Sequence, residues 1–167
     1  MFRKAATEDL PEVLGIYAGA RKFMREHGNP NQWKDSSPSE DQLREDIPAG
    51  RLYVCEIGSR IQAVFAFIPG VDPTYLKIDG AWRNDEPYAA VHRVASRGEI
   101  PRMADRIFDW CFERCENIRV DTHEDNIPMQ RAIERNGFVR CGIIYIADGS
   151  PRIAYHGIRR KTEQVGP

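Results

Sequence analysis

The stretch Asn126-Ile127-Pro128-Met129-Gln130-Arg131-Ala132-Ile133-Glu134-Arg135-Asn136-Gly137-Phe138 decides how the chain folds. Asn126 is a strong N-cap residue, and Met129, Ala132 and Ile133 recur at the spacing of a buried helical stripe. Gly137 stands at the C′ position, where helices close in a left-handed residue. The stretch is therefore a short helix with a signal at each end. Just before it, Ile118-Arg119-Val120-Asp121-Thr122 alternates strictly and reads as a strand. Just after it, residues 138–146 and 152–158 read as two strands, parted by the turn Ala147-Asp148-Gly149-Ser150-Pro151.

Working back towards the N-terminus, Ala104, Ile107, Phe108, Cys111, Phe112 and Cys115 form another helical stripe. Tyr88-Ala89-Ala90-Val91-His92-Arg93-Val94-Ala95 is a strand before it. Strand, helix and the strand at Val120 make one βαβ unit, parallel and right-handed by strong preference, inside a mostly antiparallel sheet. Residues 69–87 hold Gly, Pro, Asp and Asn without periodicity and read as a long excursion. Ahead of them, strands at 52–56 and 61–68 are joined by Ile57-Gly58-Ser59-Arg60 as a hairpin. A helix before the hairpin opens with Ser37 as N-cap, Pro38 at N1 and Glu40 completing a capping box. The first helix carries Leu10, Val13, Leu14, Tyr17, Ala20 and Met24, with Thr7 as its cap. The order is β-α-α-β-β-β-α-β-α-β-β. This is an α/β (α+β) fold with a mixed, mostly antiparallel sheet of about seven strands and four flanking helices. Residues 1–167 are read as one domain, with a polar, frayed tail over 159–167. Ligands in such sheets sit where strands diverge or where a helix N-terminus faces open space, which points to residues 94–104 and 121–126.

Composition narrows the function classes. The chain has 167 residues, 24 Lys plus Arg against 25 Asp plus Glu, and a net charge of −1, so nucleic acid is not the expected partner. With 41% hydrophobic and 29% charged residues it has the make-up of a globular protein. Cys55, Cys111, Cys115 and Cys141 form no C-x-x-C pair, so no metal is expected. No run approaches the roughly 20 apolar residues of a membrane helix, and Met1 to Asp9 lacks an apolar signal core. A cytoplasmic setting with free thiols is expected. The oligomeric state stays open, a homodimer included.

The element order and the segment from Asn126 to Phe138 resemble the GNAT superfamily of N-acetyltransferases over nearly the whole chain. The resemblance implies acetyl-CoA as acetyl donor. It implies contacts with the cofactor from Val94, Ala95 and Ser96 on the strand, from Arg102, Met103 and Ala104 at the start of the third helix, and from Asn126 and Met129. In the family a Gln/Arg-x-x-Gly-x-Gly/Ala loop holds the pyrophosphate. Here that pattern falls on Glu99-Ile100-Pro101-Arg102-Met103-Ala104, and only Ala104 agrees. Backbone amides at a helix N-terminus bind phosphate whatever the side chains. Pro101 lacks an N–H, however, and Arg102 stands where glycine permits a close approach. A second departure is Ile133, which occupies the place where many family members carry a tyrosine as general acid.

For the chemistry itself, His123 and His92 are the candidate bases and Tyr145, with Tyr155 beside it, the candidate acid. Asp121 and His123 share a strand face by period-two spacing and could pair. His92 is either a base or relay near Val94, or a structural histidine. Arg93 is expected on the opposite strand face. Trp33, Trp82 and Tyr88 either line the site or form local loop cores, and Asp85 and Glu86 could attract a cationic amine. The reading is acetyl transfer to a primary amine, by direct attack in a ternary complex. The acceptor is a small amine or a protein terminus. The competing reading is a non-catalytic acyl-CoA-binding or regulatory domain.

Overall fold

The computed structural model describes residues 1–161. Its elements are β1 (Phe2–Lys4), α1 (Leu10–Glu26), α2 (Glu40–Asp46), β2 (Leu52–Ile57), β3 (Arg60–Pro69), β4 (Asp79–Gly80) and β5 (Ala89–Ser96). They continue as α3 (Met103–Phe112), β6 (Asn117–Thr122), α4 (Ile127–Arg135), β7 (Val139–Tyr145) and β8 (Pro151–Ile158). All eight strands form one sheet in the order β1-β2-β3-β5-β6-β8-β7-β4, in which β5 and β6 alone run parallel.

The expected seven strands become eight because β4 lies inside the 69–87 excursion. It has two residues and pairs with β7 at Asp79↔Ile143 and Gly80↔Gly142. Both glycines have positive φ, and a Cβ on either would strike the facing carbonyl, of Cys141 or of Asp79. Two residues offer no alternation to read, so this strand is invisible to periodicity. The helix starts also differ. Ser39, not Ser37, caps α2, its Oγ accepting from the Gln42 amide at 3.1 Å. Thr7 opens a single 3₁₀ turn that runs directly into α1. The β2–β3 hairpin turns on Gly58 and Ser59, both with positive φ, as a two-residue turn of the primed type requires.

The sheet is packed on both faces. On one, Phe65, Phe67, Val91 and Val120 meet Ile107, Phe108 and Phe112 of α3 and Ile133 of α4. On the other, Val54, Val64 and Ala66 meet Val13, Ile16 and Tyr17 of α1 and Leu43 of α2. A smaller cluster, Tyr75, Tyr88, Ala90, Ile144 and Ala154, lies under the excursion. Of the expected tail, Arg159 to Lys161 are held: the amides of Arg159 and Lys161 donate to Glu116, and Arg160 pairs with Glu86 and Glu116. Residues 162–167 lie outside the described residues.

Candidate active site

The site begins where the parallel pair fails. β5 and β6 are paired only at Ala89↔Ile118 and Ala90↔Arg119. Beyond these rungs the strands part, and a cleft of about 950 Å³ opens between them. β5 is also bulged: Ala66 pairs with His92 and Val64 with Ala95, so β5 carries one residue more than β3 over this stretch. Arg93 sits in the bulge at φ 55°. Tyr17 of α1 donates its hydroxyl to the Arg93 carbonyl at 2.7 Å, fixing the bulge from the far layer. Burial drives the Tyr17 phenol well above its usual range, so it stays a donor.

The bulge re-aims the side chains around it. Arg93, expected to cover the opposite face, instead lines the cleft and pairs with the fully buried Asp46 at 2.8 Å. Asp46 also accepts from Arg51 Nε at 3.0 Å and from Gln42 at 3.1 Å. His92 faces the cleft with its side chain 20% exposed. Its Nε2 lies 2.6 Å from Asp72 Oδ2, and its Nδ1 is 3.7 Å from Asp121 Oδ2. Tyr75 donates its hydroxyl to that same Asp121 oxygen at 2.6 Å. Burial pushes the Asp72 carboxyl up, but hydrogen bonds from His92 and Thr74 outweigh it and hold the group at about 2. Burial and the Asp121 charge lift Tyr75 far above the usual phenol range. An ionised Asp72 accepts from Nε2–H, which fixes the ring with Nδ1 turned towards Asp121.

At the cofactor end, β5 runs on from Val94 through residues 97–102 to α3, whose Phe108 lines the cleft. Arg102, the residue in glycine's place, adopts φ 59° and ψ 36°, the left-handed conformation that glycine takes freely. No side chain caps the first turn of α3. Glu99 is drawn away from that helix end, its carboxylate bound by Arg60 at 2.7 Å and Gln62 at 3.2 Å. Uncapped amides with the neighbouring acid already neutralised fit an anionic phosphate.

The sequence-derived residues fall in different places. Val94, Asn126 and Met129 line the cleft. Asn126 caps α4, Oδ1 accepting from the Met129 amide at 3.2 Å, while its Nδ2 donates to Gln32 Oε1 at 2.8 Å. Ala95 is buried against the α1 layer, and Ser96 pairs with Ala63 of β3. Arg102 is exposed, and Met103 and Ala104 open α3, with Met103 buried in the core. His123 stands outside the lining of the cleft. β6 ends at Thr122, and His123 Nδ1 accepts from the Asp125 amide at 3.0 Å, so Asp121 pairs with His92 and Tyr75 instead. Tyr145 is 48% exposed and donates to Asp79 of β4 at 3.0 Å, on the far side of β7, and stands outside the lining of the cleft although the next residue, Ile146, is part of it. Tyr155 is buried in the core. Trp33 lines the cleft, edge-on to Tyr17. Trp82 and Tyr88 enclose the Arg119 guanidinium, and Glu86 is taken by Arg160. Asp72, Tyr75 and Arg152 were not singled out by sequence reasoning. They lie in an aperiodic segment or just after a turn, and only the folded chain brings Asp72 and Arg152 to the cleft and Tyr75 under it, against Asp121.

Among the described residues there is no cluster of metal-ligating side chains, and no helix is long and apolar enough to cross a membrane. No family model and no curated protein matches the chain. Solved structures do. An acetyltransferase of the GNAT family from Streptococcus agalactiae superposes with a TM-score of 0.88 at 26% identity, covering 96% of each chain. A putative acetyltransferase from Staphylococcus aureus gives 0.71 at 22% identity, covering 95% of this chain and 98% of that one. An aminoglycoside acetyltransferase solved with coenzyme A and kanamycin gives 0.64 at 15%, covering 95% of this chain and 94% of that one. The chain therefore has the fold of the GNAT-family acetyltransferases. Its cleft lies where the parallel strands of that fold separate.

Proposed function

We propose that this protein transfers the acetyl group of acetyl-CoA to a primary amine by direct attack in a ternary complex, in a reducing cytoplasm where its four free cysteines stay reduced. The observation that carries this reading is the parting of β5 and β6 around His92, flanked by Asp72 and Asp121. The donor's pyrophosphate would rest on the open amides of Arg102, Met103 and Ala104, with the Arg102 guanidinium beside them. Its arm would pass Val94, Asn126 and Met129. Past Ala90 no strand pairs with β5 on the cleft side, so the Val94 backbone can polarise the thioester carbonyl.

His92 is the base. The acceptor arrives as an ammonium, attracted by Asp72 and Asp121, and passes a proton to His92 Nδ1. The freed amine attacks the carbonyl carbon, a C–N bond forms, and the C–S bond breaks with its electrons on sulfur; the acylated nitrogen then gives up its remaining extra proton through solvent to the departing thiolate, which leaves the amide and CoA as its thiol. The thiolate is a weak enough base to leave without an acid, since a thiol pKa is about 8.5. This accounts for Ile133 and for Tyr145 lying away from the cleft. His123 serves the turn ahead of α4 in this scheme.

A thermal-shift titration with acetyl-CoA and CoA tests the binding half, because a ligand bound by the native state alone raises the midpoint. Thiol release with a panel of primary amines tests the chemistry. A flat midpoint at millimolar acetyl-CoA would overturn the reading. A shift with no amine-dependent release would favour a non-catalytic acyl-CoA-binding domain.

A further inference from the structure

Arg152, the second residue of β8, lines the cleft and is only 5% exposed. Its guanidinium donates to two neutral acceptors, the carbonyls of Pro151 at 2.9 Å and Gln32 at 3.1 Å. Among the described residues it forms no ion pair. Burial lowers its pKa, opposed only by the more distant charges of Asp121 and Asp148. A buried cation without a counter-ion is costly, and native chains keep one where something else supplies the charge.

Arg119 is the instructive contrast. It too is buried, 5% exposed, and donates to a backbone carbonyl, that of Asn84 at 2.9 Å. But its guanidinium is enclosed between Trp82 and Tyr88, 4.3 and 3.9 Å from the ring centroids, and it stays out of the cleft. The π faces stand in for an anion. Arg152 has no such aromatic enclosure among the described residues and lines the cleft.

Register places Arg152 close to the reacting groups. Asp121 is directly opposite Ala154 on the neighbouring strand. Arg152 is two residues from Ala154, so all three share one face of the sheet. Diagonal neighbours of this kind are about 7–8 Å apart. Asp121 in turn approaches His92 Nδ1 at 3.7 Å. A cation and an acid–imidazole cluster thus lie within the span of one small molecule that carries both charges.

We infer that Arg152 is the carboxylate-binding residue of the acceptor site, and that the acceptor is an amino acid or a similar primary amine bearing a carboxylate near its nitrogen. The inference rests on the acetyl-transfer reading above and deepens it. The carboxylate forms the ion pair that Arg152 lacks, bidentate on its fork, while the ammonium turns towards Asp72, Asp121 and His92. The two ends orient the amine, and Arg152 sets specificity without touching the reacting atoms.

The test is thiol release at saturating acetyl-CoA with matched pairs: alanine and ethylamine, phenylalanine and phenethylamine, arginine and agmatine. In at least one pair the amino acid should exceed its decarboxylated partner tenfold or more in kcat/KM. Arg152→Gln should raise KM for that amino acid at least tenfold more than for the partner amine, and Arg152→Lys should restore part of the loss. A merely structural Arg152 would move both members of the pair together, and that result overturns the inference. So does equal or better use of the decarboxylated amine, or turnover of no amino acid at all. Acetyl-CoA thermal shifts separate the two levels: a normal shift with carboxylate-free amines turned over removes the inference and leaves acetyl transfer standing. Should Arg152→Gln fail to fold, the wild-type pairs decide the question alone.

Discussion

The segment between β3 and β5 covers two histidines and gives them opposite surroundings. Over the cleft, it brings Asp72 to His92 at 2.6 Å and Tyr75 to Asp121, so the imidazole has acid on both sides and partial access to solvent. Farther along it brings Trp82 edge-on to His156 and the Arg83 amide to Nδ1 at 3.2 Å. Nε2 of His156 faces Asn117 Oδ1 at 2.9 Å, with the cations Arg119 and Arg83 nearby, and the residue is wholly buried. Burial, aided by the two arginines, pushes His156 down to about 4. One excursion therefore builds one imidazole between two carboxylates and another that burial and cations hold neutral at ordinary pH. Carboxylate neighbours suit the proposed base His92, whereas amides and cations suit a structural histidine.

The largest effect that would break this contrast is kinetic. His92→Gln should lower kcat by about 10²–10⁴ while the unfolding midpoint changes little, measured by thiol release and calorimetry. Equal loss of activity and stability would make His92 structural. The next effect belongs to His156 and is read in stability against pH. Its folded pKa lies near 4, below the 6.5 of an ordinary histidine. The unfolded chain therefore takes up a proton first as pH falls. Stability is full above 6.5 and declines as pH falls towards 4, by up to about 3 kcal/mol. Urea unfolding at a series of pH values checks this, and His156→Gln should flatten the slope. Asp72 acts over a lower window. Its carboxyl is held at about 2 against 3.8, so it stabilises above that ordinary value, and the gain of about 2 kcal/mol disappears as pH drops through the folded one. Asp72→Asn should remove that acid limb at neutral-pH cost of similar size and also slow turnover, because the imidazole loses the charged acceptor on Nε2 and gains an amide donor that can hold the other tautomer.

Much of this architecture is written locally. The Asn126 cap, the Gly137 stop, the hairpin at Gly58 and the alternation of β6 each report on their own neighbours, and short-range physics suffices to read them. The position of the cleft was legible too, since a single parallel pair in an antiparallel sheet must separate somewhere. The partners of His92 were not legible. Asp72 is 20 residues away in an aperiodic segment, and period-two spacing assigned Asp121 to His123, a pairing that the end of β6 at Thr122 removes. The bulge at Arg93 escaped notice for a similar reason: no glycine marks it, and the tether that fixes it comes from Tyr17 on another layer. Arg152 is informative only through what fails to contact it.

Arg102 bears on how this protein can be improved. Most surface positions gain tolerance to heat from an added contact, whereas this one should gain from losing its side chain altogether. The left-handed backbone costs a non-glycine residue about 1 kcal/mol, so Arg102→Gly should raise the unfolding midpoint by ~2–4 °C in scanning calorimetry. Acetyl-CoA affinity in the same variant then shows whether the guanidinium or the loop backbone holds the donor. Position 102 is thus a single-codon entry to a thermally hardier protein.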